Sequence, residues 1–213
     1  MHIAFDLDGT LIDSVPDLHR VASELLQRHE RPPLPLPTVR GFVGNGVPRL
    51  VERIATASDL SFSPELVVEY SRLYGASPVQ MTKAFPGAEA ALDALKASGA
   101  ELSICTNKPE APARTVLGHF GWTRFFGKVV GGDTLQTRKP DAAPLVAALG
   151  GADPTTAWLV GDSEVDAETA QAAGVRFALY TEGYRKTPVE QIPHDCTFSD
   201  FARLADLLNA APG

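Results

Sequence analysis

From Phe85-Pro86-Gly87 onward, short apolar runs alternate with longer stretches of helical periodicity. Residues 101–105, 128–130, 157–160 and 177–180 read as strands, and 88–97, 110–120, 142–149 and 164–173 read as helices. Ser199 is placed to cap a last helix running through Leu208. Regular alternation of this kind leaves few architectures open. It predicts a parallel sheet with helices on both faces.

One further strand stands apart. Ile3, Ala4 and Phe5 form a brief apolar run that stops at Asp6. No convincing strand follows until residue 84. Instead, residues 16–29, 38–42, 47–57 and 64–75 carry helical spacing in succession. Ser14 and Ser63 are candidate N-caps, with Pro16 and Pro64 tolerated in the first turns. The proline-rich stretch 31–37 sits between two helical patterns and reads as a stiff connector. The expected architecture is a Rossmann-like α/β core, residues 1–14 and 84–213, interrupted after its first strand by an α-helical insert, residues 15–83. A chain of 213 residues falls between one and two domains on length alone.

Composition bounds the partners. Lys and Arg total 19 against 26 Asp and Glu, a net charge of −7, which argues against a nucleic-acid binder. No apolar stretch approaches the roughly 18 residues of a membrane span. The amino-terminal residues lack a basic segment ahead of an apolar run, so no signal peptide is expected. Cys105 and Cys196 are too few for a disulfide scaffold and suggest free thiols in a reducing compartment. A cytoplasmic monomer or homodimer acting on a small molecule is expected. The five histidines show no metal-binding spacing.

In open α/β sheets, ligands bind beyond the carboxyl ends of the strands. The first strand is followed there by Asp6-Leu-Asp-Gly-Thr10, the second by Thr106-Asn-Lys108 and a later one by Gly161-Asp-Ser-Glu-Val-Asp166. Arg138-Lys-Pro-Asp141 precedes a helix. Asp6 and Asp8, two apart, leave a strand end on the same side and repel each other, which a divalent cation relieves. Asp162 and Asp166 lie four apart at a strand-to-helix turn, on one face of the helix start. A solvated turn or an acid on a helix dipole accounts for each of these singly, but less well for all at one sheet edge.

These four segments, in this order, resemble the motifs of the haloacid dehalogenase superfamily, and the insert resembles its small α-helical cap. The resemblance implies phosphoryl transfer. Asp6 would be the nucleophile that forms an aspartyl-phosphate, and Asp8 the general acid and then base. Thr106, Asn107 and Lys139 would bind phosphate. Mg²⁺ would be held by Asp6, the Asp8 carbonyl and Asp162, with Asp166 in support. Asp8 argues against a dehalogenase, which lacks that acid.

Residues 42–50, 106–109, 130–135 and 138–141 further resemble phosphoglycolate phosphatases. The implied reaction is hydrolysis of 2-phosphoglycolate to glycolate and phosphate. A phosphatase for another small phosphoester or pyrophosphate, or a sugar-phosphate mutase, would share the motifs. Gly44, Asn45, Gly46 and Arg49 of the insert are candidates for substrate selection, with Arg49 able to pair a carboxylate. Asp13 is a candidate cap for the first insert helix.

Overall fold

Ile3, Ala4 and Phe5 are fully buried, and the strand they form lies in the middle of the sheet. The computed structural model describes residues 1–210. In chain order the elements are β1 (His2–Phe5), β2 (Ile12–Asp13), α1 (Val15–Arg28), α2 (Leu36–Arg40), α3 (Val47–Ala57), α4 (Pro64–Ala76) and β3 (Lys83–Ala84). There follow α5 (Ala88–Ala97), β4 (Glu101–Cys105), α6 (Glu110–His119), β5 (Phe126–Val130), α7 (Ala142–Leu149), β6 (Trp158–Gly161), α8 (Glu164–Ala173), β7 (Arg176–Tyr180), β8 (Cys196–Phe198) and α9 (Leu204–Ala210).

Six strands form one sheet in the order β5-β4-β1-β6-β7-β8, with every pairing parallel. Side chains alternate between its faces. Ile3, Phe5, Ile104, Trp158, Val160 and Tyr180 join one apolar cluster, together with residues of α5, α6 and α9. Ala4, Cys105, Leu159, Phe177 and Leu179 join a second cluster, with residues of α7 and α8. This is the two-residue period of a strand buried on both faces. β5 departs from it. Leu102 pairs with Phe126 but Ser103 with Lys128, so Gly127 is an extra residue in a bulge. Phe126 and Val129, three apart, therefore reach the same cluster. Truncating the wholly buried Phe5 to Ala would cost about 3–5 kcal/mol.

Helices α1 to α4 pack around a third, separate cluster, drawn from residues between Val15 and Tyr74 with one addition, Tyr184. The chain passes into and out of this insert through the antiparallel pair β2–β3, which sets Ile12 opposite Ala84 and Asp13 opposite Lys83. Asp17, fully buried, ties α1 to the segment just ahead of β3. Its Oδ2 accepts from the N–H groups of Gln80, Met81 and Thr82 and from the Thr82 hydroxyl, at 2.8–3.0 Å. Burial raises the pKa of such a carboxyl, but these donors outweigh it and hold Asp17 below the usual range.

The structure differs from the sequence expectations at several ends. β8 and the β2–β3 pair are additional, because strands of two or three residues are too short to show periodicity. α2 begins two residues earlier than expected, with Pro37 inside its first turn. Asp200, not Ser199, caps the final helical segment, accepting from the Ala202 N–H at 2.9 Å. Ser14 occupies the N-cap position of α1, but its side chain makes no capping bond. The Tyr184 hydroxyl takes that place, accepting from the N–H groups of Ser14 and Val15. Among the described residues, no helix is long and apolar enough to cross a membrane. Cys105 and Cys196 are free thiols, and burial pushes the Cys105 thiol up to about 12.

Candidate active site

The sheet register brings the strand ends together. Phe5 is level with Ile104 on one side and Val160 on the other, so Asp6 emerges beside Cys105–Thr106 and Gly161–Asp162. The loop ahead of α7 delivers Lys139 to the same edge, with Asp141 capping that helix.

Asp6, Asp162 and Asp166 are buried, each with a carboxylate oxygen within 4.8 Å of the others. Lys139 is buried among them, its Nζ donating to Asp6 Oδ1 at 2.8 Å and to Asp166 Oδ1 at 2.6 Å. Asp166 is saturated. Its Oδ2 accepts from the Asp162 and Ser163 N–H groups and from the Ser163 hydroxyl, closing a capping box on α8. Asp162 accepts from the Thr10 hydroxyl at 2.8 Å and from the Tyr184 N–H at 2.6 Å.

Gly9 allows that close packing. Its φ is +97°, and a Cβ there would stand 2.5 Å from Asp162 Oδ2. Burial raises the Asp6 carboxyl to about 6, with Lys139 opposing and Asp166 adding to the shift. Burial likewise pushes Asp162 well up, reinforced by Asp166 and Asp6. Burial disfavours the charged Lys139, but Asp166 and Asp6 overcome it and hold its ammonium in the charged form. Three buried carboxylates facing one ammonium leave uncompensated negative charge. The residues therefore fit a divalent cation, for which buried carboxylate oxygens are suitable ligands.

Asp8 follows a different course. It pairs with Lys108, whose Nζ lies 2.9 Å from Oδ1 and 3.2 Å from Oδ2. The same ammonium sits 4.7 Å from the centre of the Tyr74 ring, which belongs to α4 of the insert. Burial works against the charge on Lys108, and Asp8 outweighs it. Thr106 is buried, and its Oγ1 accepts from the Lys108 N–H at 3.3 Å.

Asp6, Asp8, Thr106 and Lys108 line one side of a cavity of about 50 Å³, counted as space open to the centre of a water molecule. One water needs about 10–15 Å³ on that measure, so the cavity suits a ligand of few heavy atoms. Leu18, Val43, Leu50, Tyr70 and Tyr74 of the insert form the opposite wall.

The insert candidates separate. Gly44 and Gly46 line the cavity. Asn45 borders the acidic cluster, lining a pocket with Asp6, Asp8, Lys139 and Asp162, while its Oδ1 accepts from the Arg53 guanidinium at 2.9 Å. Arg49 stands exposed on α3, bonded to Glu52, and borders an outer groove with Arg138 instead of the cavity. Asn107 does not offer its amide protons to a ligand. Nδ2 donates to the carbonyls of Gly44 and Lys139, both at 3.0 Å, and so ties insert to core. Asp13 accepts from the Val15 N–H as a cap would, and also from the Tyr184 hydroxyl at 2.6 Å.

Lys108, Thr10 and Tyr184 went unassigned in the sequence. Lys108 carried a readable signal, a cation three residues beyond a strand end. Tyr184, 22 positions from its partner Asp162, carried none.

Residues 3–180 match the family model of the haloacid dehalogenase-like hydrolases. A phosphoglycolate phosphatase of Cereibacter sphaeroides strain ATCC 17029 is 45% identical over 210 residues, covering 97% of this chain and 96% of that protein. One of Rhodobacter capsulatus is 41% identical over 209 residues, covering 97% and 95%. The crystal structure of a predicted phosphoglycolate phosphatase from Haemophilus somnus 129PT superposes with a TM-score of 0.90 at 30% identity, covering 96% of each chain. With four motif segments converging on one sheet edge and a family match across most of its length, this chain belongs to the haloacid dehalogenase-like hydrolases.

Proposed function

We propose that the protein is a Mg²⁺-dependent phosphatase that hydrolyses 2-phosphoglycolate to glycolate and phosphate through an aspartyl-phosphate. The observation that carries this reading is the division of labour between Asp6 and Asp8. They are two residues apart at the end of β1, yet Asp6 joins the Lys139–Asp166 cluster while Asp8 faces Lys108 and the cavity. A nucleophile and a proton donor need such separate environments.

Asp6 attacks phosphorus as the ester P–O bond breaks, and protonated Asp8 gives its proton to the leaving glycolate oxygen. Asp8, now ionised, takes a proton from water, whose oxygen attacks phosphorus. The Asp6–phosphorus bond then breaks, phosphate leaves, and both carboxyls regain their starting states. The Thr106 hydroxyl donates to a phosphoryl oxygen, and Lys139 offsets the charge gathering around phosphorus. Asp166 holds Lys139 and the start of α8 in place. Asp6, the Asp8 carbonyl and Asp162 would hold Mg²⁺, which supplies charge neutralisation for the phosphoryl oxygens. Residues 15–83 act as a cap that covers the cavity and limits the ligand to a small one.

The substrate assignment draws on the relatives described above, phosphoglycolate phosphatases alike over nearly the whole chain. The test is initial phosphate release from phosphoglycolate, ethyl phosphate, glucose 1-phosphate and pyrophosphate, with and without Mg²⁺. Phosphoglycolate should rank first by kcat/KM, and activity should vanish with EDTA and return with Mg²⁺. If a sugar phosphate or pyrophosphate outranks it, the substrate assignment fails. Isomerisation far faster than phosphate release would replace hydrolase by mutase.

A further inference from the structure

The cavity poses a charge problem that the phosphoryl-binding residues do not solve. Phosphoglycolate carries a second anion, its carboxylate, a short distance from phosphorus. Once Asp6 and Thr106 fix the phosphoryl end, that carboxylate points toward the rest of the enclosed space. The insert wall there is Leu18, Val43, Leu50, Tyr70 and Tyr74. The Tyr70 hydroxyl is already donated to the Leu18 carbonyl at 3.1 Å, and the buried Tyr74 hydroxyl beside Lys108 is a single neutral donor. A carboxylate cannot be buried against such a wall unpaired.

Among the described residues that line the cavity, Lys108 is the one cation. Its main chain is anchored at the strand end, where its N–H donates to Thr106 Oγ1 at 3.3 Å. Its ammonium lies on the boundary between core and insert, with Asp8 on one side and the Tyr74 ring 4.7 Å away. Lysine is suited to change partners, being a point charge with rotatable donors on a flexible stem. Arg49, the other candidate for a carboxylate, is 64% exposed and bonded to Glu52 outside the cavity.

We propose that Lys108 is the specificity-determining residue: it exchanges the Asp8 carboxylate for the carboxylate of the substrate. The exchange keeps the buried ammonium paired throughout. It also frees both oxygens of Asp8 from Lys108, so that Asp8 can take up from solvent the proton that it then gives to the leaving oxygen. A phosphate ester without a carboxylate offers Lys108 nothing in return, and Asp8 stays clamped. Selectivity for an acidic substrate then arises twice, once in binding and once in the release of the proton donor. The inference rests on the phosphoglycolate reading above and assigns to one side chain what distinguishes that substrate from other small esters.

The experiment compares phosphoglycolate with ethyl phosphate, which has the same number of carbons and no carboxylate. In the unaltered protein the ratio of their kcat/KM values reports the substrate assignment itself. A ratio near one sinks the phosphoglycolate reading, and the Lys108 inference with it. Given a high ratio, Lys108→Met tests the inference alone. Removing Lys108 also strips Asp8 of its partner, so both substrates should lose rate, and only the ratio isolates the carboxylate. It should fall by about 30-fold or more, the usual loss for a buried charge pair.

Binding gives a second readout that needs no turnover. Phosphonoacetate should bind the unaltered protein more tightly than ethylphosphonate, and Lys108→Met should erase that difference. Should the Met variant not fold, Lys108→Gln, which keeps a polar head on a similar stem, is read the same way. Equal losses on both substrates with the ratio retained overturn the proposal, because they mark a purely structural role. So does collapse of the ratio in Arg49→Ala with Lys108→Met unchanged.

Discussion

The core and the insert meet at one cavity but contribute to it in opposite ways. The core supplies charge. Asp6, Asp8, Thr106, Lys108, Lys139 and Asp162 lie at strand ends or in loops directly beyond them, where a buried parallel sheet fixes each backbone position. The insert supplies a wall of aliphatic and tyrosine side chains standing on an apolar cluster of its own. The polar ties between the two are Asn107 to Gly44, Arg40 to Gly183, Lys108 against Tyr74 and the hydroxyl of Tyr184 against the start of α1, while the Tyr184 ring joins the insert's apolar cluster and Val79 packs on the core's. Chemistry that depends on geometry is thus expected of the core, and control of access of the insert.

The sharpest way to break this comparison is Asp6→Asn. If chemistry resides in the core, phosphate release should fall roughly 10⁴-fold or more, with circular dichroism and thermal midpoint close to those of the unaltered protein. Retained turnover would end the covalent mechanism.

The next effect lies at the junction. Asp17→Ala removes the shared acceptor of the Gln80, Met81 and Thr82 N–H groups and of the buried Thr82 hydroxyl, and should cost about 3–5 kcal/mol in urea unfolding. The same residue sets a pH dependence. Its folded pKa lies below the ordinary value of 3.8, so its contribution is present above that value and fades as pH falls through the folded one. The unaltered protein should therefore lose stability below about pH 4 with a steeper slope than Asp17→Ala. Equal slopes would show that Asp17 is not the group responsible.

Mg²⁺ should act on the core alone. At 100 times its Kd it should raise the unfolding free energy by about 2.7 kcal/mol, and Asp162→Asn should remove most of that gain. A gain that survives in Asp162→Asn would place the ion elsewhere.

Tyr184→Phe is the finest probe of the boundary. It deletes a hydroxyl that accepts from Ser14 and Val15 and donates to Asp13, at an expected cost of about 1–3 kcal/mol. Because the Tyr184 N–H still holds Asp162, Mg²⁺ affinity should be unchanged, which a titration followed by thermal midpoint can check.

Much of the site was legible because its residues follow strand ends, where short-range pattern and chemistry coincide. Asp6, Asp8, Thr106, Lys139, Asp162 and Asp166 all stand where the alternation of strands and helices places them. The insert was less legible. Arg49 and Asn45 share a segment with Gly44 and Gly46, but which of them face the cavity depends on how α3 is rotated against the core. Local sequence does not encode that rotation. Caps behaved similarly. Ser14 had the right type and place, and the tertiary fold gave its work to Tyr184, some 170 positions away.

By itself, the sequence determined the class of fold, the place of the insert and the acidic residues of the site. Each of these follows from periodicity and from residue type within a few positions. Only the tertiary structure decided the pairings: Lys108 with Asp8, Lys139 between Asp6 and Asp166, Asn107 bridging to Gly44, and Arg49 turned outward to Glu52. A charge buried at a sheet edge must take whatever partner the packing brings within about 3 Å. That partner comes from a strand or helix distant in sequence, so sheet order and insert docking determine which one it is.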